Sequence, residues 1–502
     1  MNTSYGSTVA RSGLLVAFAK SIRYGLVFLV QAFLMNVLAP DEFGLMKYVT
    51  IILGIVNLIT VAGINTAVIQ KKELDACEYG PLFMLNLAIC LILSALIFAA
   101  APLVARFFGE SELTALVRAG SSVVLLGGAS TIHRSLLQRE FRYGTLSAIE
   151  AASAVISSVV SVILAFKGFG AWALCWSLIA FHASSSVMCV AARRGVGLTF
   201  RGITAALPLF WFGAGWTLVT ILDYLMSNLS NLMIGRLFGT HVLGAFSIAF
   251  EMASIPHIGL GLVLFPVALS AFSMMQDNDK RMKDAWLKFT FLSSSGVAIY
   301  SVIIALCAHD LIKTITLLKP DGRWDDTAVF LQYLSPLVFV YSWASYPGLL
   351  WTAKRKVLLE IVWSAAMLVT IIAAIALGSG YGPRGVCAAL IIRAVVIFPV
   401  LVYMMKKTSG ISPVEYLGAL MPSVVCGGIA AITCAALLKT LTDYIPAHHT
   451  IRLAVCALLS TAVYAAVMTL LFRKNMKILT GYFLGLWRGW DGEGKVHSLK
   501  SP

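Results

Sequence analysis

Charge is scarce in this chain. Of its 502 residues only 12% are Asp, Glu, Lys or Arg, while 59% are hydrophobic. A soluble domain carries about 25% charged and about 45–50% apolar residues. A globule of this composition would have to face water with apolar side chains. That excludes a soluble enzyme, a disordered protein and a nucleic-acid binder. Acid is scarcer still: 23 Asp and Glu stand against 38 Lys and Arg, for a net charge of +15. In so apolar a chain the basic excess reports first on membrane orientation. Chemical motifs are missing too. The sequence has no Walker A lysine, phosphate-cradling glycine loop or nucleophile elbow, so it is not expected to be an enzyme or to drive transport with ATP alone. Its nine cysteines show no CxxC or metal spacing. They read as small packing residues, and neither cofactor nor metal is expected. The pattern of a cleaved signal peptide is absent, so the first apolar helix is expected to remain as a span.

Long apolar runs are what the chain has instead. At about 20 residues per crossing, they predict an all-α polytopic membrane protein with about 14 transmembrane helices. The spans run over 12–38, 43–69, 80–105, 113–135, 143–166, 169–192, 204–236, 241–272, 285–308, 327–352, 356–379, 383–405, 414–438 and 451–472. None shows the alternation of a barrel strand. Pro208, Pro256, Pro266, Pro336, Pro347, Pro399 and Pro422 lie within these runs. In a bundle such prolines read as kinks, either of ordinary packing or of a moving hinge.

The even-numbered loops are the basic ones, among them Lys71-Lys72, Arg193-Arg194, Lys354-Arg355-Lys356 and Lys406-Lys407. The positive-inside rule makes these loops cytoplasmic. An even span count then places both termini in the cytoplasm, together with a basic tail at 473–502. Within that tail, 482–487 reads as interfacial and 491–502 as disordered. The outer loops are poorer in bases. The ninth offsets Lys313, Lys319 and Arg323 with Asp310, Asp321, Asp325 and Asp326; of these acids Asp321, Asp325 and Asp326 read as a solvated turn, and His448-His449 reads as solvated too.

An offset of 200 residues lays Ala39–Gly44 on Gly239–Gly244, so that Gly44 meets Gly244. Six helices separate the two copies, which keeps them parallel. This predicts a six-helix N-lobe at 1–200, a six-helix C-lobe at 201–407, and helices 13 and 14 at 408–472 outside the repeat. Internal repeats often flank a transporter's site.

Ionisable groups at membrane depth cost several kcal/mol and usually face a cavity or a partner. Arg23, Asp223, Glu251 and Arg393 lie deepest. Lys20, Arg118 and Arg236 lie nearer span ends and either snorkel or line the cavity. Lys20 and Arg23 share a helical face. These groups read as a hydrated cavity, with Arg23, Arg393, Lys20 and Arg236 as cation candidates for an anionic headgroup and Asp223 or Glu251 as acid candidates for coupling to H+ or Na+. The bland alternative is a set of structural ion pairs. Asn231 adds a polar group that bonds sugar hydroxyls or ties helices together, as do Gln31, Asn65 and Asn228.

Several motifs carry a resemblance. Phe43-Gly44-Leu45, Ile69-Gln70-Lys71-Lys72, Phe212-Gly213-Ala214, Tyr224-Leu225, Asn228-Leu229-Ser230, Gly235-Arg236-Leu237-Phe238-Gly239, Leu264-Phe265-Pro266 and Gln276-Asp277 resemble, in order and spacing, the polysaccharide-transporter branch of the multidrug/oligosaccharidyl-lipid/polysaccharide (MOP) superfamily. The likeness is greatest to colanic-acid-type Wzx flippases and covers roughly 10–475. It implies two six-helix lobes in the manner of the MOP and MATE transporters, around a central cavity with alternating access. It implies a cargo of undecaprenyl-diphosphate-linked oligosaccharide repeat units, carried across the bacterial inner membrane for exopolysaccharide synthesis beside a polymerase and a chain-length regulator. Asn36 stands where relatives often carry Arg, and Glu251 and Asp223 where close relatives are uncharged. The alternatives are an ion-coupled drug or metabolite exporter and a membrane-bound polysaccharide polymerase. The second needs a long outer loop, and the longest here, about 309–326, is short for a catalytic domain.

Overall fold

The computed structural model describes residues 23–70, 76–197, 199, 203–275, 278–354, 357–444, 449–473 and 475–476. Lys20, Lys71, Lys72, Gln276, Asp277, Arg355, Lys356, His448 and the tail from residue 477 lie outside them, as does the first span before Arg23.

The described chain is helical throughout. It comprises α1 (Arg23–Leu34), α2 (Pro40–Gln70), α3 (Ala76–Phe108), α4 (Leu113–Arg139), α5 (Tyr143–Phe166), α6 (Ala171–Ala192) and α7 (Ile203–Met274). There follow α8 (Asp279–Ile315), α9 (Asp325–Ala353), α10 (Val357–Ser379), α11 (Gly382–Ser409), α12 (Pro413–Tyr444) and α13 (His449–Leu471). Among the described residues there is no strand, and eleven helical segments are long and apolar enough to cross a membrane. A spanning chain must satisfy its backbone internally, and helices do so residue by residue. The molecule is a multi-pass membrane protein. Side chains such as Leu91, Leu103, Leu377 and Ile432 are exposed on its outer faces, the surface that lipid covers.

Local signals set the ends. Ser412 and Glu415 form a capping box at the start of α12: the Glu415 amide donates to Ser412 Oγ at 3.3 Å, and the Ser412 amide to Glu415 Oε2 at 2.9 Å. Gly410 closes α11 in the left-handed conformation. Asp325 and Asp326 occupy the first turn of α9, where the helix dipole favours acid, rather than a solvated turn.

Two expectations are corrected, at the middle of α7 and at the end of α8. The spans at 204–236 and 241–272 have no separate loop between them, because α7 continues from one to the other with a single non-helical residue, Gly239 (φ 84, ψ 179). Pro336, Pro347, Pro399 and Pro422 lie inside continuous helices, as expected of prolines in a bundle. Asp310 does not lie in an outer loop, since α8 extends to Ile315. Its carboxylate is 2.5 Å from Arg452 Nη2 and 2.7 Å from His449 Nδ1, both on α13. His449 is therefore a bonded partner and not simply solvated.

Helices α2, α3, α4, α5 and α6 pack in neighbouring pairs, as do α7, α8, α9, α10 and α11. The two sets meet chiefly along α2 and α7, while α12 and α13 pack on α8. The largest core cluster joins α1, α2, α5, α6 and the helices from α7 to α11 around Phe43, Phe246, Trp324 and Leu331. Trp324 is buried, donates its indole N–H to the Met35 carbonyl at 2.8 Å, and stands edge-on to Phe43 at 5.3 Å. Asn36 bridges the same region: its amide donates to the Ile315 carbonyl at 2.8 Å and accepts from the Leu318 N–H at 3.1 Å.

Candidate functional site

The start of α2 crosses the second half of α7 at two glycines. A Cβ on Gly44 would collide with the Thr240 carbonyl, and a Cβ on Gly244 with the Pro40 carbonyl. Only glycine lets the backbones meet so closely. Asp41 fastens the crossing, accepting from Thr240 Oγ1 at 3.1 Å and lying 3.0 Å from His241 Nδ1. Farther along the pair, Tyr224 donates its hydroxyl to the Thr50 carbonyl at 3.3 Å.

Beside this crossing, a cavity of about 410 Å³ lies between α1, α2, α5, α6 and the second half of α7. Leu34 and Phe43 line it near the crossing, and Arg23 and Tyr24 line it at the other end of α1. The eleven-residue step from Arg23 to Leu34 is roughly 16 Å of helix.

Two charge clusters reach this space, the first through Arg23 alone, with Glu150 and Arg134 behind it, and the second through Lys47, Gln31 and Glu251. At the first, Arg23 lies 3.7 Å from Glu150, and Arg134 pairs with the same carboxylate. Two guanidinium groups against one carboxylate leave one positive charge over. The Arg23 guanidinium also lies 5.0 Å from the Tyr24 ring centre, a cation–π distance. At the second, Lys47 Nζ is 2.6 Å from Glu251 Oε1, and Gln31 donates its amide to Glu251 Oε2 at 3.0 Å. This cluster joins α1, α2 and α7 and is neutral overall.

The structure brings Arg23 and Glu251 to one cavity and leaves other sequence-selected residues elsewhere. Arg393 lies between α9, α10 and α11. It donates to Thr370 Oγ1 at 3.0 Å, Tyr341 OH at 3.2 Å and the Met367 carbonyl at 3.1 Å. Arg236 lies over the Phe107 ring at 5.5 Å. Asn231 is buried, and its side-chain oxygen has no hydrogen-bond partner among the described residues. Asp223 accepts from Ser364 Oγ at 3.4 Å. None of these four lines the cavity. Arg118, another near-end cation, lies over Phe98 at 4.9 Å.

Lys47, Glu150 and Arg134 were not among the sequence candidates. All three sit close to the ends of their spans, at 43–69, 143–166 and 113–135. The available signal was Glu251 itself: a deep carboxylate requires a cation, and Lys47 is the base in the facing span.

The geometry defines a bundle of membrane-spanning helices around a cavity whose largely apolar wall carries Arg23 at one end and the Lys47–Glu251 pair farther along. A family model described as polysaccharide biosynthesis protein matches residues 33–317, more than half of the chain. The chain belongs to this family, in the polysaccharide-transporter branch of the MOP superfamily. Among curated relatives, the lipopolysaccharide biosynthesis protein WzxC of Escherichia coli K12 is 24% identical over 72% of this chain and 73% of its own length. The succinoglycan biosynthesis transport protein ExoT of Rhizobium meliloti is 26% identical over 56% of this chain and 57% of its own. Among solved structures, the lipid II flippase MurJ in an inward closed conformation aligns with a TM-score of 0.71 at 15% identity, covering 92% of this chain and all of that one. An outward-facing MATE transporter of the MOP superfamily aligns with a TM-score of 0.55 at 13% identity, over 83% of this chain and 96% of its own. These structures share the fold.

Proposed function

We propose that the protein is a flippase. It moves undecaprenyl-diphosphate-linked oligosaccharide repeat units from the cytoplasmic to the periplasmic leaflet of the bacterial inner membrane, for exopolysaccharide synthesis. It works by alternating access and performs no covalent chemistry. The observation that carries this reading is the cation Arg23 on the cavity wall, backed by Arg134, with Glu150 the one carboxylate the two share. A diphosphate needs cations, and sugar hydroxyls cannot cross hydrocarbon without replacing their water.

The reading includes fourteen crossings, with α7 counted as two around Gly239. Helices α1 to α6 form an N-lobe (1–200), α7 to α11 a C-lobe (201–407), and α12 and α13 the two appended spans (408–472). The packing of α2 to α6 among themselves and of α7 to α11 among themselves, joined chiefly through α2 and α7, supports this division. Both termini lie in the cytoplasm, and the Gly44–Gly244 crossing then lies at the periplasmic end, closed. Glu251 is the better candidate for coupling to H+ or Na+, because it lines the cavity and bridges α2 and α7; Asp223 lies off it. Arg393, Arg236 and Asn231 act on cargo in another conformation of the cycle. Lys20 shares its role with Arg23. A polymerase and a chain-length regulator of the same pathway are the partners.

The test is complementation. In a bacterium lacking its own exopolysaccharide flippase, the chain restores polymer output, and Arg23→Gln removes it while the protein still reaches the membrane. Ethidium efflux without polymer would replace this reading with the drug exporter.

A further inference from the structure

The turn between α4 and α5 holds a residue in a conformation that its side chain disfavours. Phe141 has φ 55 and is the one non-glycine residue with positive φ among the described residues. Bulky residues avoid this left-handed region. Two hydrogen bonds build the turn: the Phe141 amide donates to the Gln138 carbonyl at 3.0 Å, and the Arg142 amide to the Leu137 carbonyl at 2.9 Å. This is a Schellman ending, whose left-handed residue is usually glycine. Helix α5 ends on the same pair of bonds, from Gly168 to Ala165 and from Phe169 to Leu164, and there the left-handed residue is Gly168. The turn itself therefore does not call for phenylalanine. Nor does the ring gain much inside the protein. Phe141 is 65% exposed, and its ring contact among the described residues is edge-on to Tyr143 at 6.2 Å.

Helix length sets the depth of this turn. Helix α4 has 27 residues and α5 has 24, roughly 40 and 36 Å at 1.5 Å per residue. The hydrocarbon core of a bilayer is about 30 Å thick, and about 40–45 Å with its headgroups. Residues 140–142, between the two helices, therefore lie at headgroup depth.

The turn is also basic and firmly held. Arg139 donates to the Val68 carbonyl of α2 at 2.7 Å, and Arg142 to the Ala192 carbonyl of α6 at 3.2 Å. Arg193 pairs with Glu140 at 2.6 Å, and the exposed Arg194 follows it in the chain. In this group four arginines stand against one acid around an exposed aromatic ring.

We propose that the α4–α5 turn is a lipid anchor: Phe141 inserts its ring beneath the headgroups, and the arginines around it select anionic phospholipid. Burial of the ring among acyl chains offsets the strain in its backbone. Lipid fits better than a protein partner, because a ring at headgroup depth already borders the acyl chains. The basic-residue count assigns the turn to the cytoplasmic leaflet, whose surface is negative. The anchor holds the helical hairpin that carries Arg134 and Glu150, the pair behind Arg23. It goes beyond the flippase reading and holds whatever the cargo is.

The test replaces Phe141 in the full-length chain with the photoreactive analogue p-benzoylphenylalanine, which keeps an aromatic ring at an exposed position. The protein is irradiated in nanodiscs of equal parts phosphatidylglycerol and phosphatidylcholine, and its adducts are weighed by mass spectrometry. The adducts should be phospholipid, with phosphatidylglycerol ahead roughly fivefold, the preference of about one surface arginine for anionic lipid. In about 1 M salt, where the screening length is about 3 Å, that ratio should approach one while lipid capture continues. Equal capture of the two lipids at low salt overturns the anionic selection. Absence of lipid adducts overturns the anchor. The same replacement irradiated in intact cells separates lipid from protein: a protein adduct in place of the lipid one would make the turn a docking site for another chain and overturn the proposal.

Discussion

Gly44 and Gly244 lie 200 residues apart and meet at a crossing that is symmetric in the sequence numbering. Gly44 abuts the carbonyl of residue 240, and Gly244 abuts the carbonyl of residue 40. Each glycine touches the residue four positions before its counterpart. Such a reciprocal contact is the one that the two-lobe arrangement proposed above requires.

Reciprocity makes the first prediction. Gly44→Ala and Gly244→Ala should each lower the melting temperature by a similar margin, since both force backbone carbonyls apart at an overpacking cost of about 1–3 kcal/mol. Gly296→Ala is the control. A Cβ there meets nothing within 4 Å, and alanine in a helix interior should stabilise by roughly 0.5–1 kcal/mol. Equal melting temperatures for all three variants would remove the close crossing.

The pair Lys47–Glu251 gives the second. Glu251→Gln strands the Lys47 ammonium in the bundle, and Lys47→Met strands the carboxylate. Removing one partner of a fully buried pair costs about 3–5 kcal/mol. The Glu251 side chain is 44% exposed to the cavity, so about 1–3 kcal/mol is expected. The exchanged pair, Lys47→Glu with Glu251→Lys, should recover most of it in a thermal melt of the purified protein. No recovery would mean that the charges act separately.

Helix placement was largely legible in the sequence because spanning runs need no tertiary information: the run at 143–166 is α5 to the residue. The junction at Gly239 was not, because a loop and a one-residue break have the same composition. Asp310 was misread for a related reason. A buried ion pair across α8 and α13 keeps polar residues inside helices, and hydropathy then ends the span too early. For the cavity, depth alone selected Arg23 and Glu251 but also Arg393, whose guanidinium bonds neutral groups on α9 and α10. Depth identifies a group that needs partners, and only the fold says which partners it has.

Arg452 and Asp310 give a third prediction, remote from the cavity. The Arg452 side chain is 6% exposed and the Asp310 side chain 12%. Asp310→Asn leaves a buried guanidinium without its carboxylate, a loss of about 3 kcal/mol. The variant should melt earlier, with α13 becoming the first segment to gain hydrogen exchange. Loss of protection elsewhere first would show that this pair does not anchor α13 on α8.

Orientation is decided by labelling, and the chain's own cysteines make the experiment clean. The eight cysteines at 90, 175, 189, 307, 387, 426, 434 and 456 are buried, so an impermeant maleimide finds little background once Cys77 is replaced by Ala. Arg194 and Lys319 are both exposed, and they fall in loops that the basic-residue count assigns to opposite faces. Arg194→Cys should therefore resist reagent added to intact cells and react after lysis. Lys319→Cys should react in both. The opposite result would invert the bundle, place the Gly44–Gly244 crossing at the cytoplasmic face, and turn the closed end of the cavity toward the compartment where lipid-linked sugars are made.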